Sequence, residues 1–92
     1  IQNENIVNKY FDWILEDRYK KEEFNTTIHV LLHALHKKVI LKFFGKERLK
    51  KEIEMSSYYP NYKRSWEIVN KEGEDNIISD FQEICGLPKT KA

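Results

Sequence analysis

Residues 27–44 read TIHVLLHALHKKVILKFF, a run in which apolar side chains occupy most positions. At about 100° per residue, a helix over this run is apolar on nearly its whole circumference. Only a narrow strip with Lys38 and Lys42, and Leu31 between them, faces water. A helix that is apolar almost all round is typical of a buried core. The sequence therefore predicts that the rest of the chain packs around this helix and that Leu35 is buried.

The residues on either side of this run predict where the central helix begins and ends. Asn25, Thr26 and Thr27 have side-chain oxygens suited to capping its N-terminus. Gly45 follows Phe44 and is the residue type best able to end a helix in a left-handed conformation.

The chain before the central helix predicts a first helix over residues 4–21. Its apolar side chains recur every three or four residues, as on the buried face of a surface helix. The residues of this stripe are Ile6, Val7, Tyr10, Phe11, Ile14 and Leu15, with Trp13 at its edge and Arg18 and Tyr19 extending it.

Three more helices are expected after Gly45. One covers residues 46–55 and has a narrow apolar edge of Leu49, Ile53 and Met55. The next begins at Ser57 or Asn61, because Pro60 interrupts the preceding helix, and it ends before Gly73. The last covers about residues 75–85 with an apolar stripe of Ile77, Ile78, Phe81, Ile84 and Cys85. Residues 66–78 also suit a β-hairpin, but the first arm is short and alternates weakly, so helices are favoured.

These patterns predict an all-α fold, a bundle of four or five short helices in one domain over residues 1–87. Ninety-two residues can build only one compact core. Charged residues make up 34% of the chain and it has only two Pro and three Gly, a composition typical of a helical surface. Residues 88–92 are expected to form a flexible C-terminal tail. Because the chain opens at Ile1 rather than Met, we expect that it is processed, trimmed or cut from a longer protein.

Composition also limits the class of protein. Cys85 is the only cysteine, so neither an intrachain disulfide nor a CxxC metal or redox motif exists. A chain with one thiol favours a reducing compartment, and we expect a cytoplasmic location. The longest apolar run contains His and Lys, and so no membrane span is expected.

The central helix also carries three histidines: His29, His33 and His36 lie within about 60° of arc on one side. His29 and His33, four residues apart, have a spacing that can share a metal ion on a helix. The glutamate that follows the first histidine in H-E-x-x-H zinc proteases is missing, since Val30 stands there. We therefore expect the histidines to fill semi-buried positions, to form hydrogen bonds with neighbouring helices and to bind no metal.

The middle of the chain is basic. Residues 26–64 hold nine Lys or Arg against three Asp or Glu. We take most of these cations as candidate binding residues: Lys38, Lys42, Lys46, Arg48, Lys50, Lys51, Lys63 and Arg64. They could contact an acidic protein or a phosphate backbone, and Tyr58, Tyr59, Tyr62 and Trp66 lie among them as possible stacking groups. A helix-turn-helix around Gly45 is disfavoured, because Lys46, Lys51 and Glu54 would occupy its packing positions.

Catalytic motifs are missing. The three glycines are too far apart for a phosphate-binding loop, and no serine has a nucleophile-elbow context. Cys85 is expected to be buried and inert. The sequence thus favours a non-enzymatic protein-interaction or regulatory module without a cofactor. The alternative is a nucleic-acid-binding domain that uses residues 37–64. The sequence does not fix the oligomeric state.

Overall fold

The computed structural model describes residues 2–87, with side chains from residue 7 onward. The α-helices in this range are α1 (Gln2–Phe11), α2 (Phe24–Phe43), α3 (Lys46–Ser56), α4 (Pro60–Glu72) and α5 (Glu74–Ile84), and a π-helical segment, Asp12–Arg18, continues α1. No strand occurs between residues 2 and 87. The all-α prediction is confirmed, and the β-hairpin alternative for residues 66–78 is wrong because they belong to α4 and α5. The proposed tail, residues 88–92, lies outside the described residues.

Helix α2 is the centre of the bundle, as predicted. It packs against α3, α4, α5 and the π-helical segment. Its N-terminus differs from the prediction, because the helix begins at Phe24 and both threonines lie buried inside it. Each threonine hydroxyl is satisfied there: Thr27 Oγ1 donates to the Glu23 carbonyl at 3.1 Å, and Thr26 Oγ1 donates to Asn61 Oδ1 at 3.0 Å. The C-terminus agrees with the prediction, since Gly45 follows with a φ of 91°.

Only one face of α2 is buried. Val30, His33, Ala34 and Ile40 point into the bundle. On the opposite side, apolar side chains are 44–67% exposed: Leu32, Leu35, Val39 and Phe43. The prediction that Leu35 is buried is therefore wrong. The described helices cover the inner side of α2 and leave these residues uncovered. Leu31, expected on the wet strip, is instead half-buried against the core.

The core consists of two neighbouring groups of buried side chains. The larger lies between α2, α4, α5 and the π-helical segment, and contains Trp13, Ile14, Tyr19, Val30, Ala34, Ile68, Val69 and Ile77. The smaller joins α2, α3 and α4 through Ile40, Leu49 and Trp66. Because α2 and α4 contribute to both groups, these two helices form the framework on which the others pack.

The π-helical segment corrects the predicted first helix. A single helix to Lys21 was expected, but helical structure ends at Arg18. A π-helix has a wider turn than an α-helix and so changes which side chains face inward. Trp13 and Ile14 are buried, whereas Val7 and Phe11, expected on the buried stripe, are exposed. The side chain of Ile6 lies outside the described set.

Arg18 fastens the end of this segment to α4 and α5. Its guanidinium donates to Glu72 Oε1 through Nη2 and to Asp80 Oδ2 through Nη1, both at 2.6 Å. Tyr19 Oη donates to the same Glu72 oxygen at 2.8 Å. Burial alone would lower the pKa of Arg18. The hydrogen bonds with both carboxylates outweigh this effect and raise the pKa above its ordinary value, so the guanidinium stays charged.

The later helices follow the predicted order. Pro60 is the first residue of α4, where its missing amide hydrogen leaves no helical hydrogen bond unmade. Gly73, with a φ of 90°, separates α4 from α5. Leu49 and Cys85 are buried as expected. Met55 and Ile84 are exposed, so the prediction that they belong to the apolar stripes of α3 and α5 is wrong.

Ile14 is buried and Leu35 is exposed, so shortening each side chain to alanine should lower the free energy of unfolding by different amounts. Ile14→Ala should lower the free energy of unfolding by about 2–5 kcal/mol, because it leaves a cavity in the core. Leu35→Ala should cost less than about 1 kcal/mol, since much of that side chain already contacts water. Urea denaturation of both variants and the parent chain measures the difference. Equal losses for the two variants would contradict the one-sided burial of α2.

Candidate functional site

A groove runs between α2, α3 and α4, and we call it the histidine groove. It encloses about 560 Å³, within the usual range for ligand pockets. Its walls come from His29, Leu32, His33, Leu35, His36 and Val39 of α2, from Glu52 and Ser56 of α3, and from Tyr62 and Trp66 of α4. The three histidines, expected on one side of α2, therefore line one groove, and most of its remaining wall is apolar or aromatic.

His33 lines the histidine groove and is held in place by contacts with α4. Its ring stacks on Trp66 with centroids 4.3 Å apart and planes 7° from parallel. Its Nδ1 lies 2.7 Å from Ser65 Oγ of α4. Trp66 Nε1 in turn donates to Ser56 Oγ of α3 at 2.8 Å. These contacts join three helices, and the predicted structural role is confirmed for His33.

The other two histidines are less constrained. His29 Nδ1 lies 2.6 Å from the Asn25 carbonyl of its own helix, and its ring is 4.4 Å from that of Tyr62. His36 is exposed and makes no side-chain hydrogen bond with the described residues. The prediction of hydrogen bonds to neighbouring helices is therefore wrong for His29 and His36.

The groove offers little to a metal ion or to a serine nucleophile. Among residues 7–87, no three or more His, Cys, Asp or Glu side chains are arranged to hold a metal. Ser65 and His33 have the spacing of a nucleophile and its base. However, Ser65 is completely buried, so a substrate could not reach its hydroxyl without opening the core. That the histidines bind no metal stays a prediction.

Five apolar residues of α2 lie on one side of the helix, which we call the outer face: Ile28, which is half-buried, and Leu32, Leu35, Val39 and Phe43, which are exposed. The first four are spaced by four, three and four residues, the heptad spacing with which one helix packs along another. Leu32 and Leu35 form a ridge with the histidine groove on one side. A second, apolar groove of about 340 Å³ lies on the other side, with Val7, Tyr10 and Phe81 in its wall.

The candidate basic residues fall into two groups by their ionic partners. Lys38 pairs with Asp75 at 2.7 Å, Arg48 with Glu52 at 2.9 Å, and Arg64 with Glu22 at 2.8 Å. The remaining candidates make no ion pair with another described side chain: Lys42, Lys46, Lys50, Lys51 and Lys63. Lys42 does lie against a ring, with Nζ 5.5 Å from the Phe43 centroid.

The candidate residues do not share one surface. Arg64 contacts Glu22, just before α2 begins, and lies in a separate groove with Lys20, Lys21 and Lys71. Lys42 lies in the last turn of α2 and Lys46 is the first residue of α3, so both are near the other end of α2. A helix of 20 residues is about 30 Å long, so these two groups lie far apart. Among the candidate lysines, Lys38 and Lys42 belong to the same helix as the outer face, and Lys46 follows its C-terminal end in the chain.

Sequence reasoning missed the outer face, although its signal was present. A run that is apolar nearly all round predicts a fully buried helix, because the pattern does not separate the heptad positions Ile28, Leu32, Leu35 and Val39 from the inner positions. A helix with one face packed in the core and the other free for a binding partner would show the same apolar pattern.

Comparisons with known proteins give no functional information. No protein-family model matches the chain, and neither a curated protein nor a solved structure matches it. Within residues 2–87, no helix has the length and hydropathy to cross a membrane.

His33 makes stability depend on pH. Burial, together with the neighbouring His29 and His36, lowers the pKa of His33 from 6.5 to about 4. The unfolded chain therefore binds more protons than the folded chain between these values, and stability falls as the pH drops from 6.5 toward 4. This loss should reach about 3 kcal/mol. Urea denaturation between pH 7 and pH 4 should show it in the parent chain but not in His33→Gln. Parallel profiles would contradict a buried neutral imidazole.

Proposed function

We propose that this chain is a non-enzymatic helical module that binds another protein through the outer face of α2. The observation that carries the proposal is the exposure of Leu32, Leu35, Val39 and Phe43, each 44–67% exposed, along one side of the central helix. Contiguous apolar surface is costly to leave in water and commonly marks an interaction site. Such a module acts in regulation or assembly, and its single buried thiol suits the cytoplasm.

The spacing on the outer face favours a helix as the bound segment. Ile28, Leu32, Leu35 and Val39 repeat as in a helix–helix seam, so the apolar side chains of a partner helix can insert between them. The grooves on either side of the Leu32–Leu35 ridge provide space for those side chains. This is the helix-in-groove mode of recognition, in which an amphipathic helix buries its apolar face.

Charge indicates that this partner helix is acidic. Residues 24–43 include Lys37, Lys38 and Lys42 and no Asp or Glu. Lys42 and nearby Lys46 have no ionic partner among the described side chains. A second copy of α2 has no Asp or Glu and so would offer these lysines no opposite charge. Glutamates or aspartates on the flanks of a partner helix would complement them.

A direct binding measurement tests the proposal. The probe is a labelled 18-residue amphipathic helix with leucines at heptad core positions and glutamates on both flanks. Its fluorescence polarisation should rise with the parent chain, and a peptide with lysines on its flanks should bind at least about tenfold more weakly because like charges repel. Leu35→Asp should abolish binding of the acidic peptide, since it places a carboxylate in the apolar seam.

Matched controls keep this test specific. Ile84 is 43% exposed, close to the 44% of Leu35, and lines neither groove beside α2, so Ile84→Asp should leave binding unchanged. Lys42→Glu with Lys46→Glu should weaken binding, whereas Lys63→Glu with Lys71→Glu on α4 should not. Equal effects of Leu35→Asp and Ile84→Asp would contradict a site on α2. If the chain forms a dimer and Leu35→Asp abolishes the dimer, the occupant of the outer face is a second copy of the chain rather than an acidic helix.

Nucleic acid is the competing ligand for the basic residues. Binding to a duplex would weaken steeply with salt, with a log–log slope near −0.9 for each phosphate neutralised. We expect DNA and RNA to bind no tighter than the non-specific range, about 10⁻⁴ to 10⁻⁶ M at physiological salt. Polarisation of labelled duplex and single strands at two salt concentrations measures this. The variant for this test combines Lys46→Glu, Lys50→Glu and Lys51→Glu. Nanomolar binding by the parent chain that this variant loses would favour nucleic-acid binding over protein binding.

A further inference from the structure

We propose that His33 presents an Nε2–H donor to the histidine groove, and that the groove receives a partner side chain with a hydrogen-bond acceptor oxygen. This inference rests on the proposed function and specifies one contact of the partner helix. It comes from three observations on the described residues: the Ser65 hydroxyl has one hydrogen-bond partner among them, His33 is almost completely buried, and none of them forms a hydrogen bond with its second ring nitrogen.

The Ser65 hydroxyl determines which nitrogen of His33 carries the proton. Ser65 is fully buried, and its side-chain oxygen has one hydrogen-bond partner among the described residues, His33 Nδ1. A buried hydroxyl that donates to nothing is costly. The hydroxyl is satisfied when its O–H donates to Nδ1, and in a neutral imidazole the proton then resides on Nε2. If Nδ1 carried the proton instead, the Ser65 O–H would have no acceptor.

The Nε2 atom opens into the histidine groove. His33 is 95% buried, with only 5% of its surface exposed. No side-chain hydrogen bond joins Nε2 to another described residue. No described polar side-chain atom is both sealed from solvent and without a partner, so Nε2 must still reach solvent. Because His33 lines the histidine groove, that opening is the groove. A buried donor that a partner can satisfy contributes specificity, because a partner without an acceptor leaves it unpaired.

The polar groups that α3 contributes to the groove are already engaged. Ser56 Oγ donates to the Glu52 carbonyl at 2.8 Å and accepts from Trp66. The Glu52 carboxylate accepts from Arg48. Leu32, Leu35 and Val39 complete an apolar wall around the donor. A side chain with an apolar stem and a terminal oxygen acceptor, such as glutamine or glutamate, fits this arrangement, and glutamate also agrees with the acidic flanks expected of the partner helix.

Nuclear magnetic resonance of the unbound chain at pH 7 tests the donor directly. Long-range ¹H–¹⁵N correlations of His33 distinguish the two tautomers by their nitrogen shifts. We expect the shift of a protonated nitrogen at Nε2 and of an unprotonated nitrogen at Nδ1. The opposite assignment, or averaged shifts, would overturn the proposal. This measurement needs neither a binding partner nor a variant.

A peptide pair tests the acceptor. In the acidic helical probe, the flanking position that faces the histidine groove carries glutamine in one peptide and methionine, of similar shape but without an oxygen, in the other. The parent chain should bind the glutamine peptide about five- to tenfold more tightly, the ratio expected for one hydrogen bond. His33→Phe keeps an aromatic ring against Trp66 and should make the two affinities equal. Thermal unfolding confirms that this variant is folded.

The outcomes separate the two proposals. One outcome is that Leu35→Asp abolishes binding while the parent chain binds the glutamine and methionine peptides equally well. That result would overturn the acceptor contact alone. No binding of either peptide would overturn the docking surface and the contact together. A preference for glutamine that persists in His33→Phe would assign the acceptor to another residue and overturn the role of His33.

Discussion

The contact between α2 and α4 is the constraint on which the other features depend. His33 of α2 lies flat against Trp66 of α4 and hydrogen-bonds with Ser65 of the same helix. This packing buries an imidazole, and burial requires it to stay neutral and to satisfy its nitrogens. Ser65 satisfies one nitrogen, while Trp66 extends the contact to α3 through Ser56. The orientation of α2, and hence the side that it leaves open, follows from this contact.

The outer face is exposed because α2 is oriented in this way and the chain is too short to cover both of its sides. A domain of this size hides only about two-thirds of its surface, and the described helices are used to cover the inner side of α2. Arg18 ties the π-helical segment to α4 and α5. Within residues 7–87, Leu32, Leu35, Val39 and Phe43 of the outer face remain exposed. We infer that the energy of burying them is gained on binding a partner rather than on folding.

Much of the fold could be predicted from local sequence signals. Gly45 and Gly73 separate helices because their backbones adopt positive φ, and Pro60 begins one because it needs no helical hydrogen bond at the first position. The π-helical segment could not be predicted, since tertiary packing of Trp13 and Ile14, rather than periodicity, decides its register. The burial of Leu35 was mispredicted for a related reason, because an apolar pattern does not show how many helices are available to cover it.

The candidate site was only partly accessible to sequence reasoning. The position of the three histidines on one side of α2 could be read from their spacing, but the contact of His33 with Ser65 and Trp66 joins residues more than 30 positions apart. Likewise, counting cations in residues 26–64 did not show that Arg64 and Lys42 lie near opposite ends of α2, or that Lys38 and Arg64 pair with carboxylates distant in sequence. Ion pairing across helices depends on the fold.

The most direct test of the account is the chemical accessibility of the two faces of α2. Cysteine introduced at Leu35 or at Val30, in a chain with Cys85→Ser, can be labelled with a thiol reagent under native conditions at low protein concentration. The account predicts that Leu35→Cys reacts nearly as fast as in the urea-unfolded chain, while Val30→Cys reacts only when the chain unfolds. Similar protection at both positions would contradict an open outer face and the function inferred from it.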